Sequence, residues 1–161
     1  MSGHVLVLAK DGNLKKGDYL SPFADFELNS AIPESDWVVE IEDRQEFKFA
    51  LEDLNSLYGA NIITFSTIYV DGEAIFVGVL DAEMFFQKLK LRKAERIQSV
   101  ADELKKDDPD LWAIAEHAYT RSPYYFIDVE DPLVLNEMDF LEYLADLDWP
   151  LFYVTQVFRF K

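Results

Sequence analysis

The chain contains no cysteine. That excludes a disulfide framework, a thiolate nucleophile and any cysteine-ligated zinc site, and it fits a reducing compartment, so a cytoplasmic location is expected. Histidine is scarce too: His4 and His117 are the only two, which leaves no paired-imidazole metal site and few general bases. The six glycines nowhere take the spacing of a phosphate loop or a dinucleotide fingerprint, and no Gly-x-Ser-x-Gly elbow occurs. Long apolar runs are also missing. The N-terminal run Val5 to Ala9 is too short for a signal-peptide core and meets Lys10 and Asp11, and no stretch approaches the roughly eighteen apolar residues of a membrane span, so neither export nor a membrane is expected. The last shortage is of bases: 15 against 31 acids, for a net charge of −16. Such a field repels phosphate backbones and anionic lipids, which argues against direct nucleic-acid binding and for a partner with a basic protein surface. The same charge also serves solubility, and a charge run is by default a solvated face.

What is present is a large apolar payload. Half of the 161 residues are hydrophobic, with thirteen Phe, eight Tyr and three Trp, too many for a disordered chain and enough to bury the core of one globular domain spanning 1–161. The clearest local signal is a hairpin over 61–80. Ile62 to Val70 and Glu73 to Leu80 are rich in β-branched and aromatic residues and flank Asp71-Gly72, a dipeptide suited to the positive φ angles of a tight primed turn. Both faces of both arms carry apolar side chains, which places this hairpin at the centre of the sheet.

Around it the pattern predicts strands over His4 to Ala9, Trp37 to Ile41, Tyr124 to Val129 and Leu151 to Phe160, the last with strict alternation of its two faces. A turn is expected at Asp11-Gly12-Asn13, and Ser21 to Glu34 shows no clean period. A helix from about Arg44 to Tyr58 is capped by Asp43 with Glu46 three residues on, stops at Gly59, and should lie across the hairpin. Asp81 starts a second helix to about Lys106, with a break allowed near Leu91 to Ala94 where the apolar pattern slips. Asp108 before Pro109 opens a third, ending near Thr120, and Asn136 caps a fourth through Leu147. The order of elements predicts an α+β fold: a mixed or mainly antiparallel sheet centred on the hairpin and covered by three to four helices.

Chemistry is harder to find than architecture. His117 sits at the boundary of a helical stripe, where an interface histidine is ordinary. Carboxylates are too numerous for any one pair to stand out as an acid–base couple. The densest set, Asp107, Asp108 and Asp110, lacks the Asp-x-Asp-x-Asp-Gly pattern and distal Glu of a calcium loop, and helix capping by Asp108 explains it. No metal and no cofactor are therefore expected. The basic cluster Lys88, Lys90, Arg92, Lys93 and Arg96 can complement acidic neighbours within the fold or across a homodimer. Acids outnumber bases by 12 to 5 over residues 1–59 and by 14 to 5 over 101–161, but only match them at 5 each over 60–100. Asp139, Glu142 and Asp146, spaced by three and four, form one anionic helical stripe. Together with Asp107, Asp108 and Asp110 they are the candidate binding residues.

Compact size, acidity, abundant Tyr and Trp and the absence of catalytic motifs resemble small phage-encoded inhibitors of host enzymes, both the DNA-mimicking type and the type that inhibits the ATP-dependent Lon protease. The resemblance lies in size and composition and carries over no residue role. It implies a non-enzymatic, acidic protein-binding module that inhibits an ATP-dependent protease or a nucleic-acid-processing enzyme. An immunity protein neutralising a basic toxin would share the composition, and a small carboxylate-based enzyme or a structural subunit are the competing classes.

Overall fold

The structure, a computed structural model, describes residues 3–11, 28, 31–32, 35–119, 123–148 and 151–161. Seven strands form one open, mixed sheet: β1 (Gly3–Lys10), β2 (Val38–Glu40), β3 (Ile63–Val70), β4 (Glu73–Leu80), β5 (Tyr124–Asp128), β6 (Asp131–Leu135) and β7 (Phe152–Phe160). Among the described residues, the helices that accompany it are α1 (Arg44–Tyr58), α2 (Ala82–Leu104), α3 (Leu111–Tyr119) and α4 (Glu137–Ala145). The strand order is β3-β4-β7-β1-β5-β6, with β2 also paired to β7. Only β1 and β5 run parallel; the other pairs are antiparallel. The α+β class and the mixed sheet are as the sequence predicts.

The hairpin's place is not. It forms with the expected turn, Asp71 and Gly72 both at positive φ, yet it lies at one edge of the sheet, with β3 outermost. The centre belongs to β7 and β1, whose Val5 to Ala9 are wholly buried. The dipeptide signal reports turn chemistry and says nothing about the neighbours of the two arms. Accordingly only the end of the hairpin away from the turn is buried, at Ile63, Val77 and Leu80, while Thr64, Thr67 and Tyr69 are exposed.

Strict alternation in β7 fails for a local reason. The β1–β7 register shifts between Val7 and Leu8, which face Gln156 and Val154, so Thr155 is the extra residue of a β-bulge. The bulge reverses the side-chain phase. Phe152, Val154 and Val157 consequently face the helices, and Phe158 and Phe160 the opposite side. On the helix side, Leu6, Leu8 and Phe126 pack with Leu51 and Leu54 of α1, Phe85 of α2 and Phe140 of α4. Three rings lock this layer: Phe126 stacks on Phe140 at 4.3 Å, and Phe85 meets them at 5.4 and 5.7 Å. The other face buries Val5, Val7, Ile127 and Phe158 with Leu28, Ile32 and Val38.

Helix α1 follows its sequence signals. The Asp43 side chain accepts from the Glu46 N–H at 2.9 Å, Gly59 ends the helix at φ 64°, and the helix crosses the hairpin as expected. Gly78 permits that crossing, since a Cβ there would stand 2.6 Å from Leu51 Cδ1. Helix α2 runs unbroken through Leu91 to Ala94, where the slipping pattern allowed a break or bend. Its apolar pattern slips because the helix leaves the core there: Ala82, Phe85 and Leu89 are its buried residues, and the remainder packs on α3 and α4. Strand β6 contains Pro132, a residue that disfavours strands, and escapes the sequence pattern. The turn expected at Asp11-Gly12-Asn13 and most of Ser21 to Glu34 lie outside the described residues.

Candidate functional site

The predicted acidic residues fall in two places, both flanking α2. Asp107, Asp108 and Asp110 lie in the connection from α2 to α3, and Asp139, Glu142 and Asp146 lie along α4; all six are exposed. No ion pair or hydrogen bond among the described residues joins one set to the other.

The connection is organised by Glu103. One of its carboxylate oxygens accepts the Asp110 N–H at 2.8 Å and the other takes the Lys106 ammonium at 2.7 Å. That ion pair raises the Lys106 pKa. With its own N–H engaged, Asp110 becomes the cap of α3: its Oδ1 accepts from the N–H groups of Trp112 and Ala113 at 2.9 and 3.3 Å. Capping by Asp108 with Pro109 as first helical residue is thus corrected by two positions. Asp107 and Asp108, released from capping, are exposed, and a few positions further along the chain two large apolar side chains are exposed as well, Leu111 at 77% and Trp112 at 85%. Leu104 and Ile97 of α2 are also exposed. The end of α2, the connection and the start of α3 thus expose aromatic and aliphatic side chains as well as carboxylates.

Helix α4 starts where its cap predicts, the Asn136 side chain accepting from the Asp139 N–H at 2.9 Å, but it ends at Ala145 rather than Leu147. Phe140, Leu141 and Leu144 are buried, so the Asp139, Glu142 and Asp146 stripe does face outward. The helix dipole favours Asp139 in the first turn and disfavours Asp146 at the C-cap, where no basic residue offsets it. Asp146 thus has no stabilising role in its own helix.

Among the described residues, two carboxylates that sequence reasoning missed sit inside. Glu137, 1% exposed, forms an ion pair with Arg92 Nε at 2.9 Å and lies 3.9 Å from Arg96 Nη2, tying α4 to α2. The same carboxylate, with burial the larger cause, pushes the Tyr58 phenol well above its ordinary pKa. The basic cluster is thus partly engaged within the fold. Its signal was present: Glu137 precedes Phe140, Leu141 and Leu144 by three, four and seven residues, the spacing of the buried stripe. Asp128, at the end of β5, accepts a short hydrogen bond from the Tyr143 hydroxyl and lies 3.6 Å from Lys10 Nζ at the end of β1. Burial and this carboxylate raise the Tyr143 pKa. In both clusters each charge faces an opposite charge or a phenol, so they fasten helices to strand ends.

His4 joins neither cluster. It lies in β1, stacked on Tyr124 at 5.8 Å, and burial lowers its pKa. The His117 backbone lies in α3. Grooves beside Asp81, Arg44 and Tyr58 hold no histidine, and no group of three or more His, Asp or Glu able to hold a metal ion occurs among the described residues. No helix among the described residues is long and apolar enough to cross a membrane. Comparison of the chain with known protein families, with curated proteins and with solved structures gave no match.

Proposed function

We propose that the protein is a non-enzymatic binding module that docks on a basic protein surface through the outer end of the α2–α3 pair, with the α4 stripe steering the encounter. The observation that carries this reading is the exposure of Leu111 and Trp112 a few positions along the chain from the exposed Asp107 and Asp108. Large exposed apolar side chains with carboxylates around them have the composition of a protein-contact patch: tryptophan supplies the desolvated anchor, and the acids select a cationic surface and reject anionic ones. Occupying a basic working surface of an ATP-dependent protease or a nucleic-acid-processing enzyme would inhibit it, which is the outcome expected from the sequence resemblance. Within the basic cluster, Arg92 and Arg96 are engaged by Glu137 of the same chain.

The test is inhibition. The intact chain is titrated into a Lon-type protease degrading an unfolded substrate, and into nuclease assays, at low and high salt. Inhibition by the parent chain, weakened by salt and lost in a Leu111→Asp/Trp112→Asp double variant that keeps the parent's circular dichroism, is the expected result. Equal inhibition by that variant, or none by the parent in any assay, would overturn this reading.

A further inference from the structure

The hairpin edge offers a second surface, independent of the α2–α3 end. In a hairpin closed by a two-residue turn, Val70 and Glu73 form a hydrogen-bonded pair, and the bonded pairs then recur at every second residue: Ile68–Ile75, Ser66–Val77 and Thr64–Val79. The backbone N–H and C=O groups of Ile63, Phe65, Thr67 and Tyr69 therefore point away from β4, to the outer edge of the sheet. Ile63 confirms this phase, because both its groups are taken by one side chain: its N–H donates to Asn55 Oδ1 at 2.9 Å and its C=O accepts from Asn55 Nδ2 at 2.9 Å. Asn55 thus closes the edge at one end and the turn closes it at the other. Three residues remain on the outer edge, Phe65, Thr67 and Tyr69, and they are symmetric about Thr67.

We infer that this edge pairs with the β3 edge of a second copy of the chain, antiparallel, about a two-fold axis through Thr67. An axis normal to the sheet keeps each face on its own side, so residues paired across it have the same parity. Centring on Thr67 sets Thr67 against its own copy and Phe65 against Tyr69 twice, engaging all three outward residues of both strands. Centring on Ser66 would instead require Ile63, whose groups Asn55 already holds. The pairs formed are a Thr–Thr contact and two aromatic contacts, types that stabilise antiparallel ladders. They would extend the stack of Phe65 on Phe76, whose rings lie 5.8 Å apart. They also give Tyr69, 76% exposed, a partner.

Charge selects the occupant. Ile63 to Val70 carries no charged residue in a chain of net charge −16, and it has none of the prolines, lysines, inward charges or bulges that protect natural edges. A basic strand would find no counter-charge here, whereas an identical strand meets no like charge opposite it.

Because the chain has no cysteine, single cysteines report the register. Antiparallel bonded pairs hold Cα atoms about 5.5 Å apart, within disulfide range, whereas Ser66 would stand roughly 8 Å from its own copy. Sedimentation of the full chain at micromolar concentration should give twice the chain mass. Thr67→Lys, which sets two ammonium groups opposite each other at an exposed position, should give a monomer with unchanged circular dichroism. On mild oxidation Thr67→Cys should cross-link at least about tenfold faster than Ser66→Cys. A parent chain that stays monomeric, a Thr67→Lys variant that stays dimeric, or faster cross-linking through Ser66→Cys would each overturn the inference; the first would leave the edge to an extended segment of another protein.

Discussion

The two halves of α2 are one continuous helix with opposite fates. Between Ala82 and Leu89 it sends Ala82, Phe85 and Leu89 into the core, where Phe85 meets Tyr58, Phe126 and Phe140. Beyond Arg96 the apolar residues Ile97 and Leu104 remain exposed, although α3 packs alongside. Both halves are apolar enough to form an amphipathic face, so composition does not separate them. What separates them is whether the sheet lies underneath. The inner half accounts for its hydrophobicity by packing, while the outer half keeps apolar surface that the fold does not use. Truncating the inner half should have the largest effect: Phe85→Ala is expected to lower stability by about 3–5 kcal/mol, since it empties the centre of the aromatic cluster. Ile97→Ala, 60% exposed in the parent, should change stability by no more than about 0.5 kcal/mol. Urea denaturation of the two variants checks the contrast. Equal losses would mean that both halves belong to one core.

The boundary between the halves is an ion-pair network rather than an apolar contact. Arg92 and Arg96 are partly exposed, but Glu137 is not, so removing the carboxylate charge leaves two cations facing a buried neutral group. Glu137→Gln keeps the volume and should cost about 2–3 kcal/mol, below the figure for a fully buried pair because water screens the arginines. Replacing all three, as Arg92→Met/Arg96→Met/Glu137→Leu, should recover most of that loss, because an apolar substitute needs no desolvation of charge. If the triple variant is less stable than Glu137→Gln, the network stabilises the helix packing by more than its own pairing.

Local signals in the sequence were readable where the physics is local. The caps by Asp43, Asp81 and Asn136, the stop at Gly59 and the Asp71-Gly72 turn each depend on a few neighbouring residues, and all occur as written. Non-local facts were not readable. Strand order is set by which faces meet, so the best-marked hairpin turned out to be the sheet's edge, and the plain run Val5 to Ala9 its centre. The bulge at Thr155 is invisible in the pattern of β7 because both phases of that strand are apolar. Among the candidate binding residues, spacing identified the outward stripe of α4 correctly, since a helix fixes which side chains share a face. It could not tell that Leu111 and Trp112 would be exposed as Asp107 and Asp108 are, because that depends on where α3 ends its contact with α2.

The α4 stripe should also leave stability nearly unchanged, and there the contrast between core and surface lies within a single helix. Phe140, Leu141 and Leu144 hold its inner side, while Asp139, Glu142 and Asp146 touch only solvent-facing surface. Changing the three acids to lysine moves the net charge from −16 to −10, each substitution contributing two units. Losing Asp139 weakens the favourable interaction with the helix N-terminus, and losing Asp146 relieves an unfavourable one at the other end, so the two dipole contributions oppose each other and folding should change by less than about 1 kcal/mol. Association with a basic partner is another matter. Exposed charges act over a screening length of about 8 Å at physiological salt and speed the encounter rather than hold the complex. If the proposed docking on a basic protein is right, the triple variant should bind it more slowly, with a shallower dependence of the association rate on salt and a nearly unchanged dissociation rate, as stopped-flow measurements would record. Should the two chains associate equally fast at low salt, the stripe only solubilises the helix, and recognition rests on Leu111 and Trp112 alone.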